Sequence, residues 1–409
     1  MNRLSRRSFI KSASLVVAAP LVVPAAVLGK EGRTAPNERF NMALIGCGIQ
    51  GGGDMCIIMG FDQVRFVAVC DPIPAHRARC SRVLDNATEY VDYREALEHP
   101  GLDAILIGTP DHWHAAITIA AAKKGLDVFC EKPETLTVAE GRKMVDAVKK
   151  YGIVFSGGSQ RVLDDYGDIP RLLWGGAIGE ITEAYVPYGS PSQDCDLPAE
   201  DLPAGIDWDL WLGPAPWRPF HPNLIAGGFR PYREYSGGGM TDWGCHHFGA
   251  AMFAIQKHMT GPVEILPGGG DNKMLTYVFQ DGTKVYHAYS GIAYVGTEGK
   301  IIAGRDGAAL GTYHKPETRV EIPGYHWFNP WEHHGLYGDF VYCVKTRQQP
   351  FRNIEVAHRA ATMCHLGNIV YWLERPVKWD PVKEKIIGDP EAARWLNRPK
   401  RSPWTDDVT

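Results

Sequence analysis

No two of the nine cysteines in this 409-residue chain stand at C-x-x-C spacing, and no H-E-x-x-H segment occurs. The commonest zinc signatures are therefore missing, and no metal is expected. Beyond the first few residues there is no basic run, and 43 Lys and Arg stand against 47 Asp and Glu, so a nucleic-acid partner is not expected. Ala13 to Leu28 is apolar, but it is interrupted by Pro20 and Pro24 and falls short of the roughly 20 residues a membrane span needs. There is no internal repeat and no long low-complexity segment. The composition is that of an ordinary globular protein.

What is present begins with Ser5-Arg6-Arg7-Ser8-Phe9-Ile10-Lys11, a close match to a twin-arginine export signal. That pathway carries proteins that have already folded, often with a cofactor inside. The expected division is a signal over residues 1–30, a first domain over 31–158 and a second over 159–409, with the protein periplasmic or otherwise exported. Cleavage is expected near Ala25-Ala26 or Gly29, and membrane contact only through an uncleaved signal. The odd cysteine count fits folding in a reducing compartment, with most of the cysteines as buried free thiols.

From Arg39 onward short apolar runs alternate with helical patterns, the mark of a doubly wound parallel α/β sheet. Phe40–Ile45, Arg65–Cys70, Asp103–Ile107, Asp127–Cys130 and Ile153–Phe155 read as strands. His114–Lys124 and Val138–Tyr151 read as helices, the second opened by a Thr137/Glu140 capping box. The distinctive residues fall at successive strand ends: Gly46, Asp71, Thr109-Pro110 and Glu131-Lys132-Pro133. Open α/β sheets bind ligands at that edge. Gly46-Cys47-Gly48-Ile49-Gln50-Gly51 reads as a dinucleotide turn, with Gly46 for the turn itself, Gly48 for close approach of the pyrophosphate and Gly51 for helix packing. Asp71 lies 20 residues beyond Gly51, where a carboxylate accepts ribose hydroxyls and repels a 2′-phosphate, so NAD is favoured over NADP. The candidate cofactor contacts are Gly46, Gly48, Ile49, Gln50, Gly51, Asp71, Thr109, Pro110, His112, His114, Glu131, Lys132 and Gln160. Lys132, at a strand end beside a nicotinamide, can donate a proton or polarise a substrate oxygen.

Taken in order and spacing, Gly46–Gly51, Thr109-Pro110-Asp111-His112-Trp113-His114 and Glu131-Lys132-Pro133 resemble the Gfo/Idh/MocA oxidoreductases. The resemblance implies an N-terminal Rossmann domain and a C-terminal α/β domain with an open, mostly antiparallel sheet that often serves for homo-oligomerisation. Gly237 to His247 resembles the family's Asp-x-x-x-His element, with Asp242 and His246 at its two positions. The resemblance places both over the nicotinamide with Lys132, and His246 then takes the hydroxyl proton. On one helix, residues four apart share a face. One departure stands out: Gly249 lies where many relatives carry a substrate-binding aspartate.

In the second domain Ile181–Tyr188, Met274–Phe279, Lys284–Tyr289 and Gly299–Ala303 read as strands, with an Asp281-Gly282 hairpin turn. Glu355–Trp372 reads as a helix, and the aromatic tail is expected to wrap the surface. The proline- and aromatic-rich insertion Asp207–Tyr235 is either a specificity loop for a small-molecule carbohydrate or a self-packed long loop. Substrate candidates are Arg161, Trp217, Arg230, Tyr232 and His247. Three functional readings stay open: an NAD(P)-dependent carbohydrate oxidoreductase, an NAD-dependent glycoside hydrolase acting through transient oxidation and elimination, and a non-catalytic sugar-binding relative.

Overall fold

A computed structural model describes residues 39–404 apart from 85–86, 160–168, 188, 270–273, 289–290, 304–308, 313–314, 321 and 323–334. The N-terminal signal, Gln160 and Arg161 lie outside the described residues.

The first domain carries strands β1 (Phe40–Ile45), β2 (Val64–Cys70), β3 (Thr88–Tyr90), β4 (Ala104–Ile107), β5 (Asp127–Glu131) and β6 (Phe155–Gly158). Its helices are α1 (Ile49–Ile58), α2 (Pro74–Ser81), α3 (Tyr93–Ala96), α4 (Asp111–Lys123) and α5 (Val138–Tyr151). All strands run parallel, in the order β3-β2-β1-β4-β5-β6. Strand β4 is buried along its whole length because helices cover both faces, which is why its sequence, Ala-Ile-Leu-Ile, does not alternate. The winding reverses between β1 and β4, and a crevice opens beyond their C-terminal ends. Helix α5 starts as its sequence dictates: Thr137 Oγ1 accepts from Glu140 N at 3.2 Å. The Glu140 carboxylate accepts from Leu136 N at 3.2 Å, one residue short of the usual reciprocal bond.

The second domain comprises α6 (Ile169–Trp174), β7 (Ile181–Pro187), α7 (Trp208–Leu212), α8 (Gly239–Asp242), α9 (Gly244–Ala254) and β8 (Glu264–Leu266). It continues through β9 (Leu275–Val278), β10 (Lys284–Ala288), β11 (Ala293–Gly296), β12 (Lys300–Ala303) and β13 (Ala309–Leu310). It closes with α10 (Gly335–Thr346), α11 (Ile354–Leu373), β14 (Val377–Asp380), β15 (Lys385–Ile386) and α12 (Pro390–Arg394). The nine-stranded sheet runs β13-β12-β11-β7-β10-β9-β8-β14-β15 and is antiparallel except where β7 meets β10. The tail does more than wrap the surface. It supplies the last two strands at one end of the sheet, and Trp379 is buried in the core.

Helix α11 is buried almost all round, as a helix packed between two layers must be. A Cβ at Gly141 of α5 would stand 2.1 Å from His358 of α11, and one at Gly367 would stand 2.2 Å from the Tyr277 hydroxyl. One helix thus packs tightly on the first domain and on the second sheet. The aromatics of the insertion form a small core of their own, in which Trp208 and Trp211 stack at 4.7 Å.

Candidate active site

The crevice is lined from the first domain by Gly46, Gly48, Ile49, Gln50, Asp71, Thr109, Pro110, Asp111, Glu131 and Lys132. The insertion closes it with Trp211, Leu224–Gly227, Phe229 and Arg230. Most of the insertion's aromatics pack among themselves, while one turn, Leu224–Gly227, faces the cleft.

At one end the backbone is shaped for close approach. Gly46 has φ +92°, and a Cβ there would stand 2.4 Å from Thr109 N. A Cβ at Gly51 would stand 2.2 Å from the Gly46 carbonyl oxygen, so only glycine lets α1 reach the strand. Gly48 meets nothing nearer than 4.0 Å and caps α1 with no side-chain hydrogen bond, which leaves that helix N-terminus to a ligand. Asp71 is buried at the end of β2 and accepts from Cys47 N at 2.8 Å and from Ile73 N at 2.9 Å. The cradle fits a dinucleotide: bare backbone for phosphates, a helix N-terminus, and a carboxylate for ribose hydroxyls.

At the other end the two domains meet. Lys132 Nζ donates to Asp242 Oδ1 at 2.6 Å, and Arg230 Nε donates to the same oxygen at 3.2 Å. Burial alone would push the Lys132 ammonium down, but the Asp242 and Glu131 carboxylates reverse this and hold it above its usual range. For Asp242 burial works upward, and Lys132 followed by Arg230 holds its carboxyl below the ordinary value. Lys132 is therefore an ammonium in the ligand-free cleft, a donor rather than a base. His246 is buried, and its Nδ1 lies 2.8 Å from Ser159 Oγ, just past β6. Asp242 and His246 do not share one regular helix. Asp242 ends α8 and His246 belongs to α9, with Trp243 joining them in helical conformation.

The remaining predicted residues lie elsewhere. His112 packs among Trp113, Trp211 and Tyr235 with Nε2 at 3.0 Å from the Trp211 carbonyl, and burial lowers its pKa to about 4. The His114 ring sits between the Pro133 carbonyl at 2.7 Å and the Thr109 carbonyl at 2.9 Å, tying together two strand-end loops. His247 stacks on Trp243, Tyr232 is buried within the insertion's core, and Trp217 is 65% exposed. None of these five lines the crevice; Asp242 meets it only through Lys132 and Arg230, and His246 is not among its lining residues.

Sequence reasoning overlooked Ser159 and Asp111. Asp111 is buried at the start of α4, lines the crevice, and has an Oδ2 with no hydrogen-bond partner among the described residues. Burial pushes its carboxyl up to about 7, against the pull of Ser236 and Arg230. Among the described residues no group of three or more His, Cys, Asp or Glu is arranged to hold a metal. Seven of the nine cysteines are buried thiols, Cys195 is half-buried and Cys56 is exposed.

Residues 40–159 match the family model described as "Oxidoreductase family, NAD-binding Rossmann fold". Residues 191–406, more than half of the chain, match "Oxidoreductase family, C-terminal alpha/beta domain". Over 125 residues the chain is 35% identical to the scyllo-inositol 2-dehydrogenase (NAD(+)) of Bacillus subtilis, covering 30% of this chain and 36% of that one. Over 181 residues it is 29% identical to a glycosyl hydrolase family 109 protein of a Shewanella species, covering 37% and 38%. These alignments span little more than a third of the relatives' lengths. Among solved structures, the aldose-aldose oxidoreductase of Caulobacter crescentus superposes with a TM-score of 0.59 at 15% identity, over 83% of this chain and 99% of that one. The myo-inositol 2-dehydrogenase of Lactobacillus plantarum gives a TM-score of 0.58 at 18% identity, over 83% and 99%. With the two domain matches lying in order along the chain, this protein belongs to the Gfo/Idh/MocA oxidoreductase family.

Proposed function

We propose that the protein is an NAD-dependent oxidoreductase acting on a CH–OH carbon of a sugar, cyclitol or glycoside. The observation that carries this reading is the 2.6 Å pair between Lys132 of the first domain and Asp242 of the second, at the end of a crevice whose other end is a dinucleotide cradle. NAD, when bound, supplies a hydride acceptor. Gly46–Gly51 and the α1 N-terminus hold its phosphates, and Asp71 accepts its ribose hydroxyls. Lys132, kept protonated by Asp242, donates to the substrate oxygen and stabilises negative charge on it. With His246 Nδ1–H donating to Ser159 Oγ, Nε2 carries the lone pair that accepts the hydroxyl proton. Arg230, fixed over Asp242, offers its remaining N–H groups to substrate hydroxyls.

A second reading, transient oxidation followed by elimination and return of the hydride, draws support from the family 109 glycosyl hydrolase relatives. Export through the twin-arginine pathway and retention of NAD inside the folded protein belong to the same proposal, as does the division at residues 30 and 158. So does a homo-oligomer formed through the outer face of the nine-stranded sheet. On that face Tyr185, Tyr286, Ala293 and Ile302 lie in register and are partly exposed, while their neighbours Ala184, Val285, Tyr294 and Ile301 point into the core.

The test is to mix NAD-loaded protein with a panel of sugars, cyclitols and aryl glycosides. Both reduced nicotinamide and released aglycone are followed. Reduced nicotinamide without aglycone supports the oxidoreductase, and aglycone release dependent on NAD supports the second reading. Silence with every compound would leave the reading without support.

A further inference from the structure

The cationic side chains of the crevice fall into two groups. At the catalytic end Lys132 and Arg230 are both committed to Asp242, at 2.6 and 3.2 Å. At the dinucleotide end stands Arg79, in the last turn of α2, lining the crevice with Asp71 and the glycine turn. Its Nη2 donates to the Cys47 carbonyl of that turn. No carboxylate pairs with it among the described residues. Its neighbours are engaged: Arg77 lies 3.6 Å from Glu89 and donates to the Asp71 carbonyl, and His76 lies 3.6 Å from the Asp71 carboxylate.

A guanidinium carries five N–H donors in a planar fork suited to phosphate. One bond to Cys47 holds the fork beside the turn and leaves the others for a ligand. Helix α1, whose N-terminus faces the same space, contains no basic residue of its own (Ile-Gln-Gly-Gly-Gly-Asp-Met-Cys-Ile-Ile). A diphosphate lying there meets backbone N–H groups but, among the described residues, no other unpaired cation. We infer that Arg79 is a diphosphate clamp: hung from the Cys47 carbonyl, it closes on the dinucleotide phosphates and neutralises charge that the glycine turn alone cannot. A 2′-phosphate is the less suitable occupant, because Asp71 holds the ribose position with a carboxylate. The inference rests on the NAD reading above and deepens it. It gives a physical cause for retention of the cofactor, since a charge-assisted fork must break before the nucleotide leaves.

The experiment is calorimetric titration of nucleotide-free wild-type and Arg79→Ala protein with NAD, adenosine and NADP at two salt concentrations. Wild-type protein that binds no NAD overturns the cofactor reading, and the clamp with it. If wild-type binds NAD, Arg79→Ala should loosen it about 10- to 100-fold, the weight of one charge-assisted bond. The variant should also leave adenosine affinity unchanged and flatten the salt dependence of NAD binding. Equal losses for adenosine and NAD would mean that Arg79 only supports the turn, and would overturn the clamp. So would an unchanged NAD affinity, or a loss confined to NADP. Should the alanine variant fold poorly, Arg79→Lys keeps the charge without the fork. It should bind NAD several-fold more weakly and retain the wild-type salt slope; wild-type affinity in it would contradict the fork.

Discussion

Three carboxyl groups and two cations meet where Lys132 enters the crevice: Asp111, Glu131 and Asp242 against Lys132 and Arg230. Charges so crowded cannot all be ionised at low cost; Lys132 and Arg230 both hydrogen-bond to Asp242, and no cation hydrogen-bonds to Asp111 among the described residues. Its folded pKa of about 7 lies above that of a free carboxyl, so the folded state holds a proton that the unfolded chain releases. By linkage, stability contributed at acid pH is lost as pH rises from about 4 to about 7. Asp111→Asn should thus match wild type in urea unfolding near pH 4 and exceed it above pH 7. Lower stability than wild type at both ends would contradict this account. The proton-transfer groups make a separate prediction. Lys132→Met and His246→Ala should each lower turnover about 10²- to 10⁴-fold while NAD still binds. Full turnover in either variant removes that residue from the chemistry. Ser159→Ala should reduce turnover less, because it frees the His246 ring without deleting it.

At the scale of elements, the loop carrying Lys132 is held from behind. Glu134 follows Pro133 directly, and Arg352, at the entry to α11, donates from Nε to Glu134 Oε1 at 3.0 Å with both side chains fully buried. Gly157 of β6 has no side chain because a Cβ would stand 2.3 Å from Glu134 Oε1. Arg352→Met leaves a buried carboxylate unpaired and should cost about 3–5 kcal/mol of stability, whereas Glu134→Gln combined with Arg352→Met should recover much of it. Chemical denaturation of the two variants measures this, and a single-variant loss under about 1 kcal/mol would show that the pair is not needed. This coupling was not legible in the sequence, since its partners lie 218 positions apart. What was legible is local. The strand ends at Gly46, Asp71 and Lys132, and the helix at Val138–Tyr151, each depend on a short stretch with its own turn or cap. The edge strand β3 was missed because three residues, Thr88–Tyr90, carry no period. The terminal strands β14 and β15 were missed because four- and two-residue pairings depend on what they add to. Ser159 looked ordinary because its partner, His246, lies 87 positions away, and Asp111 because its burial appears only in the fold. The insertion's aromatics suggested a sugar platform but mostly satisfy one another, and the cleft-facing residues are the inconspicuous Leu224–Gly227.

For the whole molecule, the joining of a dinucleotide cradle to a Lys132–Asp242 pair gives one continuous crevice roofed by the insertion. A nucleotide bound there would contact both domains and be slow to leave. Denaturing the purified protein should accordingly release about one NAD(H) per chain, and predominant NADP would show that Asp71 does not select the ribose. If NAD is carried out of the cytoplasm within the folded protein, the reaction must restore it in place. Either a second sugar accepts the hydride, or the same substrate takes it back. The most direct test is to supply substrate to purified protein with no added cofactor and count product against enzyme. The account predicts product over many equivalents; product that stops at one equivalent and resumes only with external NAD would contradict it.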